Sequence, residues 1–199
     1  MKVVVVLPAY NCAKSLKKTI SEIPNEIVDE IVLVDDFSSD DTLKIAKECR
    51  VEHIVKHNKN LGYGANQKTC YDKALELNAD IVIMLHPDYQ YDPRLITSLI
   101  RKIEQGADIV LASRMMKGFE AVRNGMPLYK YYCNRILTKF QNFCFQKHLS
   151  EYHTGYRAYR KNVLVSIKYH DFSNDFIFDN QIIICLLYTS PSPRDRTRS

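Results

Sequence analysis

The 199-residue chain has six cysteines (Cys12, Cys49, Cys70, Cys133, Cys144 and Cys185) but no Cys-x-x-Cys pair. That spacing excludes a zinc ribbon and a compact disulfide framework, and the cysteines read as free thiols of a reducing compartment. Long apolar runs are also missing, since none approaches the roughly 18 residues needed to span a bilayer. Met1-Lys2 followed by Val3–Leu7 is too short for a signal peptide and has no cleavage region. The chain is therefore expected to be cytoplasmic, either soluble or peripheral to a membrane. Gly-Lys-Ser/Thr is absent, so there is no P-loop, and no internal repeat is visible. Charge is nearly balanced, with 28 basic and 23 acidic residues giving +5. This hints at an anionic partner without pointing to nucleic acid.

What is present is ordinary for one soluble domain with a sizeable core: 46% hydrophobic and 26% charged residues. Apolar runs alternate with helix-length segments. Strands are expected at Val3–Leu7, Ile31–Val34, Val51–Val55, Ile81–Leu85 and Ile109–Ala112. Helices are expected at Ala13–Ile23, from a cap at Ser39 or Asp40 to Cys49, at Ala65–Leu77 and at Pro93–Gln105. This rhythm predicts an α/β fold, a mostly parallel sheet with helices on both faces. Ligands of such sheets sit outside the carboxyl ends of the strands. Beyond Arg114 the pattern changes: Met115–Met126 reads as a loop, Leu128–Gln146 as an aromatic-rich helix, Tyr156–Tyr159 as a strand and Phe176–Ile184 as the start of a helix. The helix over Leu128–Gln146 is expected to turn its apolar face to the core. Lys130, Arg135, Lys139 and Lys147 leave a membrane-facing role open.

The last residues look foreign. From about Cys185 the chain, read back into codons, resembles a sequencing adapter. A domain over residues 1–184, truncated at its C-terminus, followed by a non-native tail over 185–199 is the expectation. Residues 186–199 hold three arginines and one aspartate, so the remainder carries 25 basic and 22 acidic residues, a net +3. Part of the basic character thus resides in the tail.

Chemistry-bearing residues follow the strands. Pro8-Ala9-Tyr10-Asn11 ends the first strand and Asp35-Asp36 the second. A carboxylate there can accept from a ribose or base N–H, although helix-capping or solvated acids read as well. Asn60-Leu61-Gly62-Tyr63-Gly64-Ala65-Asn66 offers backbone N–H groups to an anion, or is an ordinary turn. After the fourth strand, His86, Asp88 and Gln90 recur at period 2. In an extended segment that spacing puts three ligand atoms on one side, suited to a divalent cation that also binds a diphosphate.

With Ala112-Ser113-Arg114 and Thr154-Gly155-Tyr156-Arg157-Ala158-Tyr159-Arg160, these blocks resemble, in order, the GT-A-fold glycosyltransferases of family 2. Within that family they are most similar to the polyprenyl-phosphate (dolichol-phosphate) mannosyltransferase-like branch. The resemblance covers residues 3 to about 184. It implies nucleotide contacts by Pro8, Ala9, Tyr10, Asn11, Asp35, Asp36, Gly62, Asn66 and Arg114. His86, Asp88 and Gln90 align with a D-x-D-x-Q metal motif for Mn²⁺ or Mg²⁺, with His86 in place of the first aspartate. That exchange tilts the site toward Mn²⁺, or His86 does not ligate and Asp88 holds the ion with the diphosphate and waters.

The implied reaction moves a sugar from a UDP- or GDP-linked donor, with inversion, to a polyprenyl phosphate at a membrane surface or to a glycan hydroxyl. Such chemistry belongs to cell-envelope glycan biosynthesis. Arg157 and Arg160 would clamp a phosphate acceptor. A hydroxyl acceptor needs a base, for which Asp179 is the candidate, although it also reads as a helix N-terminal acid. Asp88, Asp179 and Arg157 are thus the expected catalytic residues. Two alternatives stand beside this reading: a non-catalytic nucleotide-sugar binder, motivated by His86, and a nucleotidylyltransferase. The latter would show a glycine-rich basic loop where Pro8–Asn11 stands.

Overall fold

The computed structural model describes residues 1–113, 122 and 127–189. Six strands form one sheet: β1 (Val3–Ala9), β2 (Glu30–Asp35), β3 (His53–Lys56), β4 (Ile81–Met84), β5 (Ile109–Leu111) and β6 (Arg157–Arg160). The order is β3-β2-β1-β4-β6-β5. β1 pairs parallel with β2 and β4, and β2 with β3, whereas β6 lies antiparallel between β4 and β5. Alternation along the chain anticipates the parallel part. The insertion of β6 depends on a long return connection that no local pattern shows.

Helices cover both faces. α1 (Ala13–Ser21), α2 (Thr42–Glu48) and α4 (Ile96–Glu104) lie on one side, the last preceded by a 3₁₀ turn at Pro93–Leu95. There Leu16, Ala46, Ile96 and Ile103 pack with Val5, Leu7, Leu33 and Ile83. On the other side lie α3 (Tyr63–Glu76), α6 (Lys161–Ser166) and α7 (Phe178–Thr189). Here Tyr71, Ala74, Leu164, Phe178 and Ile182 meet Val4, Val6, Val34 and Met84. Successive residues of β1 enter opposite cores, as strand geometry requires. Val4, Val5, Val6 and Leu7 are all fully buried, each side chain stabilising the fold by about 1.5–3 kcal/mol.

The element boundaries differ modestly from expectation. α3 begins at Tyr63 rather than Ala65, because Gly62 takes φ +97° at the N-cap, a conformation glycine adopts without strain. α2 begins after Asp41, while Asp40 Oδ1 accepts from the Thr42 N–H (3.0 Å). α7 runs on through Cys185 to Thr189 with Leu186 buried, so the change of character expected at Cys185 does not break the helix. Residues 190–199 lie outside the described residues.

α5 (Leu128–Phe145) overturns an expectation. Its buried residues are Tyr131 and Thr138, and the side turned to the protein carries Asn134, Thr138 and Asn142. Tyr129, Tyr132, Ile136, Phe140 and Phe143 are exposed. The apolar face points away from the core because the polar stripe finds partners in the segment after the helix. Asn134 donates to Glu151 (2.9 Å), and Asn142 exchanges hydrogen bonds with the Leu149 backbone (both 2.9 Å).

Candidate active site

The carboxyl ends of β1 and β2 are joined by side chains. Asn11, held at φ +48°, accepts from the Ser39 N–H (2.9 Å) and gives its own N–H to Ser38 Oγ (2.9 Å). The first N–H groups of the next turn go to Thr42 Oγ1 (from Cys12, 2.9 Å) and Asp40 (from Ala13, 3.0 Å). Pro8 and Ala9 belong to β1, and Tyr10 stands 54% exposed beyond it.

The two adjacent aspartates differ in role. Asp36 is buried and accepts from the Leu61 N–H (2.8 Å), the Gly62 N–H (3.0 Å) and His57 Nδ1 (2.8 Å). It pins the glycine-bearing loop to the sheet. Asp35 is fully buried and accepts from the Ser38 N–H (3.1 Å), yet its Oδ1 finds no partner among the described residues. Asn66 likewise gives its amide N–H to the Ala9 carbonyl (3.3 Å) and leaves Oδ1 buried without a partner. Two orphaned acceptors so close to the strand ends are what a ribose or a base would satisfy.

Of the two readings open for the glycine loop, the structure favours the turn over the anion cradle. The Gly62 N–H is spent on Asp36 and Asn60, and the Gly64 N–H donates to the Asn174 carbonyl (2.6 Å). A Cβ at Gly64 would collide with the Ser173 carbonyl and the Phe178 side chain. Gly64 thus lets two chain segments touch. Lys68 secures the same contact by donating to the carbonyls of His170 (3.0 Å) and Phe172 and to Asn174 Oδ1 (2.9 Å). Sequence reading missed both Lys68 and His57. A histidine directly after a strand was the available signal for the second. A lysine on a polar helix face gives none.

After β4 the chain turns instead of extending. Tyr89 takes φ +60°, so His86, Asp88 and Gln90 do not share a side as period 2 implied. α1 fixes the turn: Ser15 Oγ (2.6 Å) and Thr19 Oγ1 (3.2 Å) donate to the Pro87 carbonyl. Asp88 and Gln90 are exposed, and Asp88 Oδ1 accepts from the Gln90 N–H (3.1 Å).

His86 faces inward, stacked on Tyr63 with ring centroids 5.3 Å apart. Its Nε2 is 3.0 Å from the Tyr63 hydroxyl, which donates to Asp179 Oδ2 at 2.7 Å. Burial first, and then the charge of Asp179, push the Tyr63 hydroxyl well above the usual phenol range, so it keeps its proton. That single proton goes to the carboxylate, hence Nε2 carries hydrogen and donates to Tyr63. Nε2 is thereby engaged with Tyr63, and of the two ring nitrogens Nδ1 alone keeps a lone pair. Gly155 makes the stack fit, because a Cβ there would strike His86 Nε2.

Asp179 also accepts from Gln67 Nε2 (3.1 Å) and lies 3.4 Å from Arg157 Nη1. Arg157 is fully buried and donates to the carbonyls of Thr154 (2.6 Å) and Asp179 (3.0 Å). Burial works against its charge, but the Asp179 carboxylate outweighs it and holds the guanidinium protonated. Arg157 therefore lies beneath Asp179 and not at the rim where a clamp would stand. Arg160 is further removed. β6 runs antiparallel, so Arg157 pairs with Met84 at the carboxyl end of β4 while Arg160 pairs with Ile81 at its start. Its guanidinium donates to the Ala107 (3.1 Å) and Ile103 carbonyls. Three residues of strand, about 10 Å, separate it from the site. Arg114 lies outside the described residues.

Among the described residues no three His, Cys, Asp or Glu side chains converge on a metal position. The exposed carboxylate of Asp88 nevertheless fits a hard cation that arrives with a diphosphate, since such ions are commonly held by one or two carboxylates plus phosphate oxygens and water.

Comparison with known proteins bears on the family and the fold. The family described as "Glycosyl transferase family 2" matches residues 4–167. The chain is 29% identical over 175 residues to the UDP-N-acetylglucosamine–dolichyl-phosphate N-acetylglucosaminyltransferase of Methanococcus voltae, covering 80% of this chain and 69% of that one. It is 32% identical over 133 residues to the dolichol-phosphate mannosyltransferase of Pyrococcus furiosus, covering 65% and 37%. Glucosyl-3-phosphoglycerate synthase of Mycobacterium tuberculosis, solved with UDP, superposes with a TM-score of 0.70 at 18% identity, covering 93% of this chain and 65% of that one. The same enzyme with Mn²⁺, UDP and its product gives a TM-score of 0.67. The structural likeness concerns the fold alone and agrees with the expected GT-A sheet. The chain spans between 37% and 69% of the length of these relatives. With the family matched over most of its length and its blocks standing at the strand ends, this chain belongs to glycosyl transferase family 2.

Proposed function

We propose that the chain transfers a sugar from a nucleoside diphosphate sugar to a polyprenyl phosphate, inverting the anomeric configuration, as a step of cell-envelope glycan synthesis. The observation that carries this reading is the exposed Asp88 carboxylate, set at the carboxyl ends of β1 and β4 in a chain of this family. The two relatives compared by sequence are named for dolichyl phosphate as acceptor.

In this reading Tyr10 and Asn11 border the nucleoside, and the orphaned Asp35 Oδ1 and Asn66 Oδ1 accept hydrogen bonds from its base or ribose. Asp88 is the residue that would hold a divalent cation, Mn²⁺ or Mg²⁺. Such an ion, when bound, neutralises charge on the departing diphosphate. Gln90 stands beside it, and His86 does not share the task. Both oxygens of Asp179 accept from protein donors and its side chain is nearly buried. That favours an acceptor needing no base, such as a phosphate already ionised at neutral pH. Attack by the phosphate oxygen forms the new bond to the anomeric carbon while the bond to the nucleoside diphosphate breaks. A polyprenyl phosphate is presented at a membrane surface, and among the described residues no helix is long and apolar enough to cross a membrane.

The test is to incubate the chain with labelled UDP- and GDP-sugars, a short-chain polyprenyl phosphate and Mn²⁺. Label entering the organic phase as an acid-labile sugar phosphate supports the reading. Nucleotide binding with no turnover for any donor would instead establish the non-catalytic alternative.

A further inference from the structure

α5 is built the wrong way round for a helix of a water-soluble domain. Positions 129, 132, 136, 140 and 143 recur at three- and four-residue steps and so share one face. All five are large, apolar or aromatic, and exposed, Phe143 at 83%. The opposite face carries the polar stripe Asn134, Thr138 and Asn142, which turns inward to Glu151, Leu149 and Tyr152. In water the reverse orientation would be favoured, since burying the aromatic stripe removes apolar area from solvent. Charge adds a second observation. Between Leu128 and Ser150 the chain has four lysines and arginines (Lys130, Arg135, Lys139 and Lys147) and neither aspartate nor glutamate. Basic residues on long stems beside an apolar stripe suit an anionic lipid surface, with ammonium groups at the headgroups and stems along the hydrocarbon.

We infer that α5 is a docking surface for an anionic phospholipid bilayer, lying in its plane with the aromatic stripe at the headgroup boundary. This rests on the proposed lipid-linked acceptor for its purpose, though not for its geometry. The position suits that purpose. Asn134 and Ser113 both donate to Glu151 (2.9 and 3.1 Å), and the chain then passes through Thr154 to Gly155 against His86. The surface thus adjoins the segment that closes one side of the site.

The experiment is co-sedimentation with vesicles of phosphatidylglycerol and of phosphatidylcholine, comparing the wild type with an Ile136→Glu/Phe140→Glu variant. Both substituted residues are exposed, and circular dichroism checks that the fold is kept. Cys133 and Cys144, exposed on α5, are labelled with a water-soluble maleimide in parallel. Expected results are sedimentation with phosphatidylglycerol vesicles that weakens in salt, a loss of roughly tenfold or more in the variant, and vesicle protection of both cysteines. Failure to bind anionic vesicles overturns the inference, as does a wild-type dimer, absent in the variant, that covers the stripe without lipid binding. Transfer to a short, water-soluble prenyl phosphate separates the two proposals. Transfer without vesicle binding rejects the docking surface alone, and vesicle binding without transfer rejects the proposed reaction alone.

Discussion

The Tyr63 hydroxyl donates a hydrogen bond to Asp179 at 2.7 Å, and through that bond the first residue of α3 holds a side chain in the first turn of α7. His86 completes the line from the other side, donating to the same hydroxyl at 3.0 Å. The arrangement makes His86 part of the packing that orients Asp179. Replacing Tyr63 by phenylalanine removes a hydrogen bond to a charged group and is expected to cost about 1.5–3 kcal/mol of stability. A shift of the urea midpoint measures it. An unchanged midpoint would mean that the hydroxyl is satisfied elsewhere.

His86→Ala is expected to leave the manganese concentration needed for nucleotide binding nearly unchanged, because the ring is stacked on Tyr63 with Nε2 at its hydroxyl, while Asp88 is the exposed carboxylate of the turn. Even a residue that only supports a metal ligand typically costs about 10-fold or more in affinity when lost. An increase of that size on titrating Mn²⁺ in the presence of UDP or GDP would return His86 to the metal.

Arg157 gives a contrast between a buried ion pair and a substrate clamp. Its guanidinium is fully buried 3.4 Å from Asp179, and removing one partner of such a pair costs about 3–5 kcal/mol. Arg157→Ala should therefore lose stability in a thermal melt. The double change Arg157→Met with Asp179→Asn should recover much of that loss. A stable Arg157→Ala protein with only a raised KM for acceptor would favour the clamp.

Alkaline pH tests the buried thiol of Cys12. Burial raises it from 9.0 to about 11, while Thr42 opposes the shift. The folded state therefore keeps this proton after the unfolded chain has released it. Its contribution is fully present below pH 9 and is lost as pH rises through about 11, amounting to roughly 2–3 kcal/mol over the whole window. Denaturant midpoints between pH 8 and 10.5 should fall less steeply for Cys12→Ala than for wild type. Equal slopes would place the thiol in water.

The parallel half of the sheet was legible because Val3–Leu7 and Ile81–Leu85 are apolar on both faces, as central strands must be. The strand ends put Tyr10, Asp35 and Asp88 at the carboxyl edge of the sheet, which is where they lie. Three readings failed for reasons that lie outside local pattern. Period 2 over His86–Gln90 assumed an extended chain, but Tyr89 is left-handed. The sequence groups Arg160 with Arg157 because it carries no strand direction, and an antiparallel β6 takes Arg160 to the far end. Amphipathic periodicity over α5 implies a core-facing apolar stripe, whereas its partners Glu151 and Tyr152 select the polar stripe. The roles of Asp35 and Asp36 were open in the sequence, and His57 decides between them by donating to Asp36.

The most direct measurement is the rate of sugar transfer from a nucleotide sugar to polyprenyl phosphate by wild type, Asp88→Ala and Asp92→Ala, with manganese present. Asp92 serves as the control, since its carboxylate accepts from the Arg94 N–H (3.0 Å) and caps the 3₁₀ turn. The account predicts that Asp88→Ala loses transfer by roughly 100-fold or more while Asp92→Ala stays close to wild type. Equal rates for Asp88→Ala and wild type would contradict it.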